Sequence, residues 1–129
     1  MAAGGKSKAK ILIADDDPEL LTLLSMRLGK LGYLIIEAGD GVEALVKVRA
    51  DRPDLVVLDV MMPRRSGWEV AREMKHDEAM ASIPILMLTA IGPRLNEMTS
   101  PIHGADDYLD KPFEFDALEA KIVKLLKRK

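Results

Sequence analysis

Cysteine is absent from the sequence, which excludes a disulfide framework and any thiolate metal site and fits a reducing compartment. Also missing is any apolar run near the roughly 18 to 20 residues that would span a bilayer, and the N-terminus lacks the apolar core of a secretory signal. A large charge of either sign is lacking too. The formal net charge of -2 gives no overall field that would draw the chain onto nucleic acid or an anionic membrane. These absences point to a cytoplasmic protein with no direct nucleic-acid partner and no membrane partner. No repeat or low-complexity linker divides the 129 residues, so one domain with a single core is expected.

What is present is a regular alternation. Residues 1–8, "MAAGGKSK", look like a disordered leader, and the folded domain is expected over 9–129. Short apolar runs at 10–14, 34–38, 54–59, 83–90 and 107–110 read as strands. The first, third and fourth are almost continuously hydrophobic, as in parallel strands covered on both faces. Between them lie amphipathic helical patterns. One is carried by Leu20, Leu21, Leu24, Leu28 and Leu31 with Gly29 and Gly32 as stop signals, and one by Val42, Leu45 and Val46, halting before Pro53. A third, carried by Val70, Ala71 and Met74, follows Ser66 as N-cap, and a fourth is carried by Phe115, Leu118, Ile122 and Leu125. Strict alternation of strand and helix predicts an α/β fold with a central parallel sheet and right-handed crossovers. The segment from Ile91 to His103 carries Pro93 and Pro101 among weak helix formers, and a short or broken helix is expected there.

Ligands of an open parallel sheet bind beyond the carboxyl ends of its strands. On this reading the first strand ends at Asp15, Asp16 and Asp17, the third at Asp59 and the fourth at Thr89, while the fifth runs into Lys111 and Pro112. All of this chemistry falls on one edge. Clustered carboxylates suit a hard divalent cation, and Mg²⁺ needs only one or two of them besides water and a phosphate oxygen. Asp17, next to Pro18, serves as the cap of the first helix, leaving Asp15 and Asp16 for the cation. With Lys111 as a fixed positive charge and Thr89 as a hydroxyl donor, the set suits phosphoryl oxygens, and Asp59 becomes the nucleophile of an acyl phosphate.

The stretches "ILIADDDPEL", "PDLVVLDVMMPRRSGWEV", "IPILMLTA" and "GADDYLDKPF", in this order, closely resemble the CheY-like receiver domain of two-component response regulators. The resemblance implies a single-domain flavodoxin-like (βα)5 fold with a doubly wound five-stranded sheet in the order 2-1-3-4-5. It implies that Asp15 and Asp16 form the acidic pair for Mg²⁺, with Mn²⁺ as a substitute, and that Asp59 and the backbone carbonyl of Met61 share the metal. Asp59 is then the phosphoacceptor, Thr89 the switch hydroxyl, Tyr108 the aromatic switch and Lys111 the phosphate-binding lysine, with a cis Lys111-Pro112 bond. The implied partners are a sensor histidine kinase or phosphotransfer protein upstream, and downstream a protein target or an output domain absent from this chain. Phosphorylation would shift the conformation of the 91–111 region. The chain would act as a signalling domain whose only catalysis is its own phosphorylation and dephosphorylation.

Three rival readings have discriminating features. A flavodoxin-like cofactor binder needs a hydroxyl- or glycine-rich phosphate loop, and "DDDP" stands there instead. An aspartyl phosphatase needs an acid two residues after its nucleophile, where this chain has Met61. A phosphorylation-independent receiver-like binding module differs by having lost phosphorylation, yet all five functional positions are kept. His76 and His103 carry no mark of a phosphohistidine carrier. The terminal "KLLKRK" is too short to imply nucleic-acid binding, and Met61 and Ile91 are apolar residues expected to shield the phosphoryl group from water.

Overall fold

The computed structural model describes residues 9–89 and 105–127. Residues 1–8, Ile91 and the rest of the 91–103 segment, and His103 lie outside the described residues. Among the described residues, five strands and four helices follow one another as β1 (Lys10–Ala14), α1 (Pro18–Lys30), β2 (Leu34–Ala38), α2 (Gly41–Asp51), β3 (Leu55–Asp59), α3 (Gly67–Lys75), β4 (Ile85–Thr89), β5 (Asp107–Asp110) and α4 (Phe115–Lys127). The strands form one parallel sheet in the order β2-β1-β3-β4-β5. This is the flavodoxin-like arrangement that the alternation and the resemblance imply.

Side chains of a strand alternate between faces, so each buried strand feeds two cores. Leu12, Ala14, Val56, Leu58, Ile85 and Met87 pack with Ala44, Leu45 and Val48 of α2 and Val70, Ala71 and Met74 of α3. Ile11, Ile13, Leu55, Val57, Leu86 and Leu88 pack with Leu21, Leu24 and Leu28 of α1 and Leu118, Ile122 and Leu125 of α4. Two cores on opposite faces explain why β3 and β4 are buried along their whole length. The edge strands β2 and β5 are partly exposed.

The helices start where short polar side chains can satisfy their free N–H groups. Asp17 accepts from Glu19 and Leu20, Asp40 from Glu43, and Ser66 and Glu69 form a reciprocal capping box. Three boundaries differ from the sequence reading, β3 starting at Leu55 rather than at residue 54. α1 runs through Gly29 to Lys30, and the chain reverses at Gly32, whose φ of 101° suits a residue without Cβ. β4 begins at Ile85 because Pro84 has no N–H to offer, although its carbonyl accepts from Val56 at 3.0 Å. Among the described residues, no helix is long and apolar enough to cross a membrane.

Two glycines fix how the helices sit on the sheet. A Cβ at Gly41 would lie 2.2 Å from the Arg65 carbonyl oxygen, and one at Gly67 would lie 2.4 Å from the Asp59 carbonyl oxygen and 2.9 Å from Met87 Sδ. Backbone cannot yield as a flexible side chain can. Gly67→Ala is therefore expected to destabilise the fold by about 1–3 kcal/mol through overpacking. Gly29→Ala, in a helix with nothing within 4 Å of the added methyl, should stabilise it by about 0.5–1 kcal/mol. Urea denaturation of both variants checks the pair.

Candidate functional site

Parallel pairing sets the strand ends side by side. Ala14 pairs with Leu58 and Asp59 with Leu88, so Asp15, Asp59 and Thr89 leave adjacent strands at one edge. Between β1 and β3 the strand order reverses, and a crevice opens at that point. Among the described residues, the only buried polar or charged residues are Asp15, Asp59 and Thr89. The buried polar and charged residues among those described thus gather at this edge.

Each carboxylate is held by its own loop. Asp15 Oδ1 accepts the Asp17 N–H at 2.9 Å, and Asp59 Oδ1 accepts the Met61 N–H at 3.3 Å. Their other oxygens face Lys111, whose Nζ lies 2.9 Å from Asp15 Oδ2 and 3.5 Å from Asp59 Oδ2. Lys111 is aimed from the end of β5 by its own N–H, which donates to the Thr89 carbonyl at 2.7 Å, and the Lys111-Pro112 bond after it is cis. Thr89 itself is fully buried at the end of β4.

The charges at this edge do not balance. Burial pushes the Asp59 carboxyl up to about 6; the Asp15 charge adds to this, Lys111 and the Met61 N–H oppose it, and Asp16 contributes a little more. Burial alone would lower the Lys111 ammonium, but its hydrogen bond to Asp15 and the two carboxylate charges outweigh that, and its pKa is raised. One ammonium thus faces three carboxylates. Oxygens of Asp15, Asp16 and Asp59 lie within 4.8 Å of one another, Asp16 being exposed at the mouth. Hard oxygen donors, grouped and short of positive charge, fit a hard divalent cation such as Mg²⁺.

The structure brings Asp15, Asp16, Asp59 and Lys111 together and lines Thr89 up beside them. Met61, 64% exposed, stands at the rim two residues beyond Asp59. Tyr108 sits apart, paired with Met87 and packed on the core beneath α2 and α3. His76 caps the C-terminus of α3, at the other end of that helix from the site. Sequence reasoning passed over Gly67, which rests on the Asp59 carbonyl, and Trp68 beside it. The only signal was the "SGWE" that also supplies the cap. It also passed over a cavity of about 510 Å³ that Leu20 and Leu23 of α1 and Lys111, Phe113 and Phe115 line beside the site, with the Arg27 guanidinium 4.0 Å above the Phe115 ring.

Comparison with known proteins gives a consistent picture. The family model for the response regulator receiver domain matches residues 11–123. A probable transcriptional regulator, ycf27 of Cyanophora paradoxa, is 44% identical over 122 residues, which are 95% of this chain and 50% of that protein. The chain spans about half the length of the curated relatives it matches. Among solved structures, the receiver domain of the Francisella response regulator 1452 superposes with a TM-score of 0.87 at 30% identity, over 94% of this chain and 98% of that one. The receiver domain of the sensor histidine kinase PA1611 from Pseudomonas aeruginosa, solved with a magnesium ion coordinated in its active site cleft, gives 0.85 at 28% identity, over 93% and 98%.

The uncompensated charge makes a prediction about the metal-free protein. With a folded pKa near 6 against an ordinary 3.8, Asp59 binds its proton more tightly in the folded state. Stability is then lost as pH rises from about 4 through 6, by on the order of 3 kcal/mol once fully developed. Asp59→Asn is expected to gain about 1–3 kcal/mol over wild type at pH 7.5 with chelator, and none of that at pH 3.5. Urea melts at the two pH values measure it.

Proposed function

The chain belongs to the response regulator receiver domain family, and from that membership we propose that its Asp59 takes a phosphoryl group from a phosphohistidine of a sensor histidine kinase or phosphotransfer protein. A receiver domain is the phosphorylation-controlled switch of a two-component system. The observation that carries the assignment is the pairing of two buried carboxylates with Lys111 at the strand ends, where the buried charged residues among those described gather.

In this reading an Asp59 oxygen attacks phosphorus, the P–O bond forms as the P–N bond breaks, and the imidazole nitrogen keeps the electron pair. Burial pushes the metal-free Asp59 carboxyl up to about 6, and a bound divalent cation would favour its ionised, nucleophilic form. Lys111, already 3.5 Å from Asp59 Oδ2, holds a phosphoryl oxygen, and Thr89 offers its hydroxyl to another. Asp15, Asp16, Asp59 and the Met61 carbonyl are the groups that would hold Mg²⁺, which when bound supplies positive charge to the carboxylates and phosphoryl oxygens. Phosphorylation adds negative charge and strong acceptors at the strand ends, and the response spreads through Thr89, Tyr108 and the 91–111 region. Met61 stands where an aspartyl phosphatase needs an acid, so the domain signals and does not turn over external phosphate esters. The protein works in the cytoplasm, and a downstream protein target or an output domain outside this chain receives the signal.

Intact mass after incubation with a small-molecule phosphodonor tests this. Wild type with Mg²⁺ should gain one phosphoryl group, while Asp59→Asn, or wild type with chelator, should gain none. No gain under any condition would instead make the chain a phosphorylation-independent binding module. The exposed apolar side chain of Met61 at the rim should hinder an attacking water, so Met61→Asn is expected to shorten the phosphoryl half-life severalfold, followed by loss of the added mass over time.

A further inference from the structure

Among the described residues, the Tyr108 hydroxyl is the one buried side-chain polar atom without a hydrogen-bond partner. A buried hydroxyl in that state costs free energy that contact with water would return, so something else has to hold the ring in place. Its neighbours identify what does. β5 pairs Tyr108 with Met87, on the sheet face covered by α2 and α3. The Trp68 ring lies 6.0 Å from it between centroids, tilted by 53°, within the favourable range for aromatic pairs. Burial, aided by the charges of Asp106 and Asp107, pushes the Tyr108 phenol up to about 12, so the hydroxyl keeps its proton.

Trp68 is itself anchored to the acceptor strand. Its predecessor Gly67 donates its N–H to the Val60 carbonyl at 2.9 Å, and its backbone leaves no room for a Cβ against the Asp59 carbonyl oxygen and Met87 Sδ. The end of β3 therefore cannot shift without moving the first turn of α3, and Trp68 with it. On the other side, β5 runs three residues from Tyr108 to Lys111, whose ammonium reaches Asp59. The two rings bridge the strand that bears Asp59 and the strand that leads into Lys111.

We propose that Trp68 is a positioning residue for Tyr108: its ring holds the tyrosine against β4 with the hydroxyl buried, and it carries displacements of the Asp59 strand end to β5. The first half stands on the ring geometry; the second rests on the reading of Asp59 as phosphoacceptor. Without Trp68, the ring is free to turn its hydroxyl to water.

The chain has two tyrosines, so incorporation of 3-fluorotyrosine into a Tyr33→Phe background leaves one fluorine resonance, that of Tyr108. Magnetisation transfer from the Trp68 indole protons to this fluorine is expected in the otherwise native protein, and its absence would overturn the ring contact without recourse to any variant at Trp68. In Trp68→Leu the resonance should move toward that of free fluorotyrosine and acquire a solvent isotope shift, and Trp68→Phe should restore most of the buried signature. A folded Trp68→Leu with an unmoved resonance would overturn the positioning role. For the second half, the protein is phosphorylated with a small-molecule donor and Mg²⁺ and checked by intact mass. The Tyr108 resonance should move on incorporation in the protein with Trp68 and move less in Trp68→Leu. Incorporation with the resonance unmoved would overturn the transmission. If no phosphoryl is gained, the phosphoacceptor reading falls, and the transmission with it, while the ring result stands by itself.

Discussion

The Lys111 ammonium, set between two buried carboxylates, is the contact on which the arrangement of this protein turns. Isolated buried charge is costly, and the Asp15 and Asp59 carboxyls are each faced by the Lys111 ammonium and a backbone N–H. The compensation is incomplete, as the raised Asp59 carboxyl records. An edge left short of positive charge is unfavourable for stability and favourable for binding, since a bound divalent cation would complete the balance.

The rest of the fold serves to bring these groups to one place. Lys111 and Asp15 are 96 residues apart in the chain, and only the order β2-β1-β3-β4-β5 sets the ends of β1, β3, β4 and β5 within reach of a single lysine. Helices on both faces keep water from the strands, so the polar groups are confined to the loops beyond them. Two loops are further clamped by glycines: Gly67 seats α3 on the Asp59 carbonyl, and Gly41 admits the Arg65 backbone against α2. The Arg64 guanidinium, donating to Asp40 at 2.8 Å, ties the same β3-α3 loop to the N-terminus of α2. Rigid loops matter here because phosphoryl transfer depends on positioning and on charge already in place.

Membership of the receiver family is consistent with this economy of means. The chain is similar to about half of longer transcriptional regulators and to receiver structures over nearly their whole length.

The sequence by itself determined the alternation of strand and helix, the caps at Asp17 and Ser66, and the membership of the acidic and basic site, because each is written in local periodicity or in residue types that only strand ends tolerate. Gly29 misled as a helix stop because the apolar face of α1 outweighs one weak helix former, and β4 started late because Pro84 has no N–H to pair. The tertiary structure alone decided which oxygen of each carboxylate faces Lys111, how far Asp59 is pushed from its ordinary pKa, and that Trp68 meets Tyr108. Those properties depend on distances across the sheet between residues remote in sequence and on the exclusion of water, and neither leaves a mark on the order of amino acids along the chain.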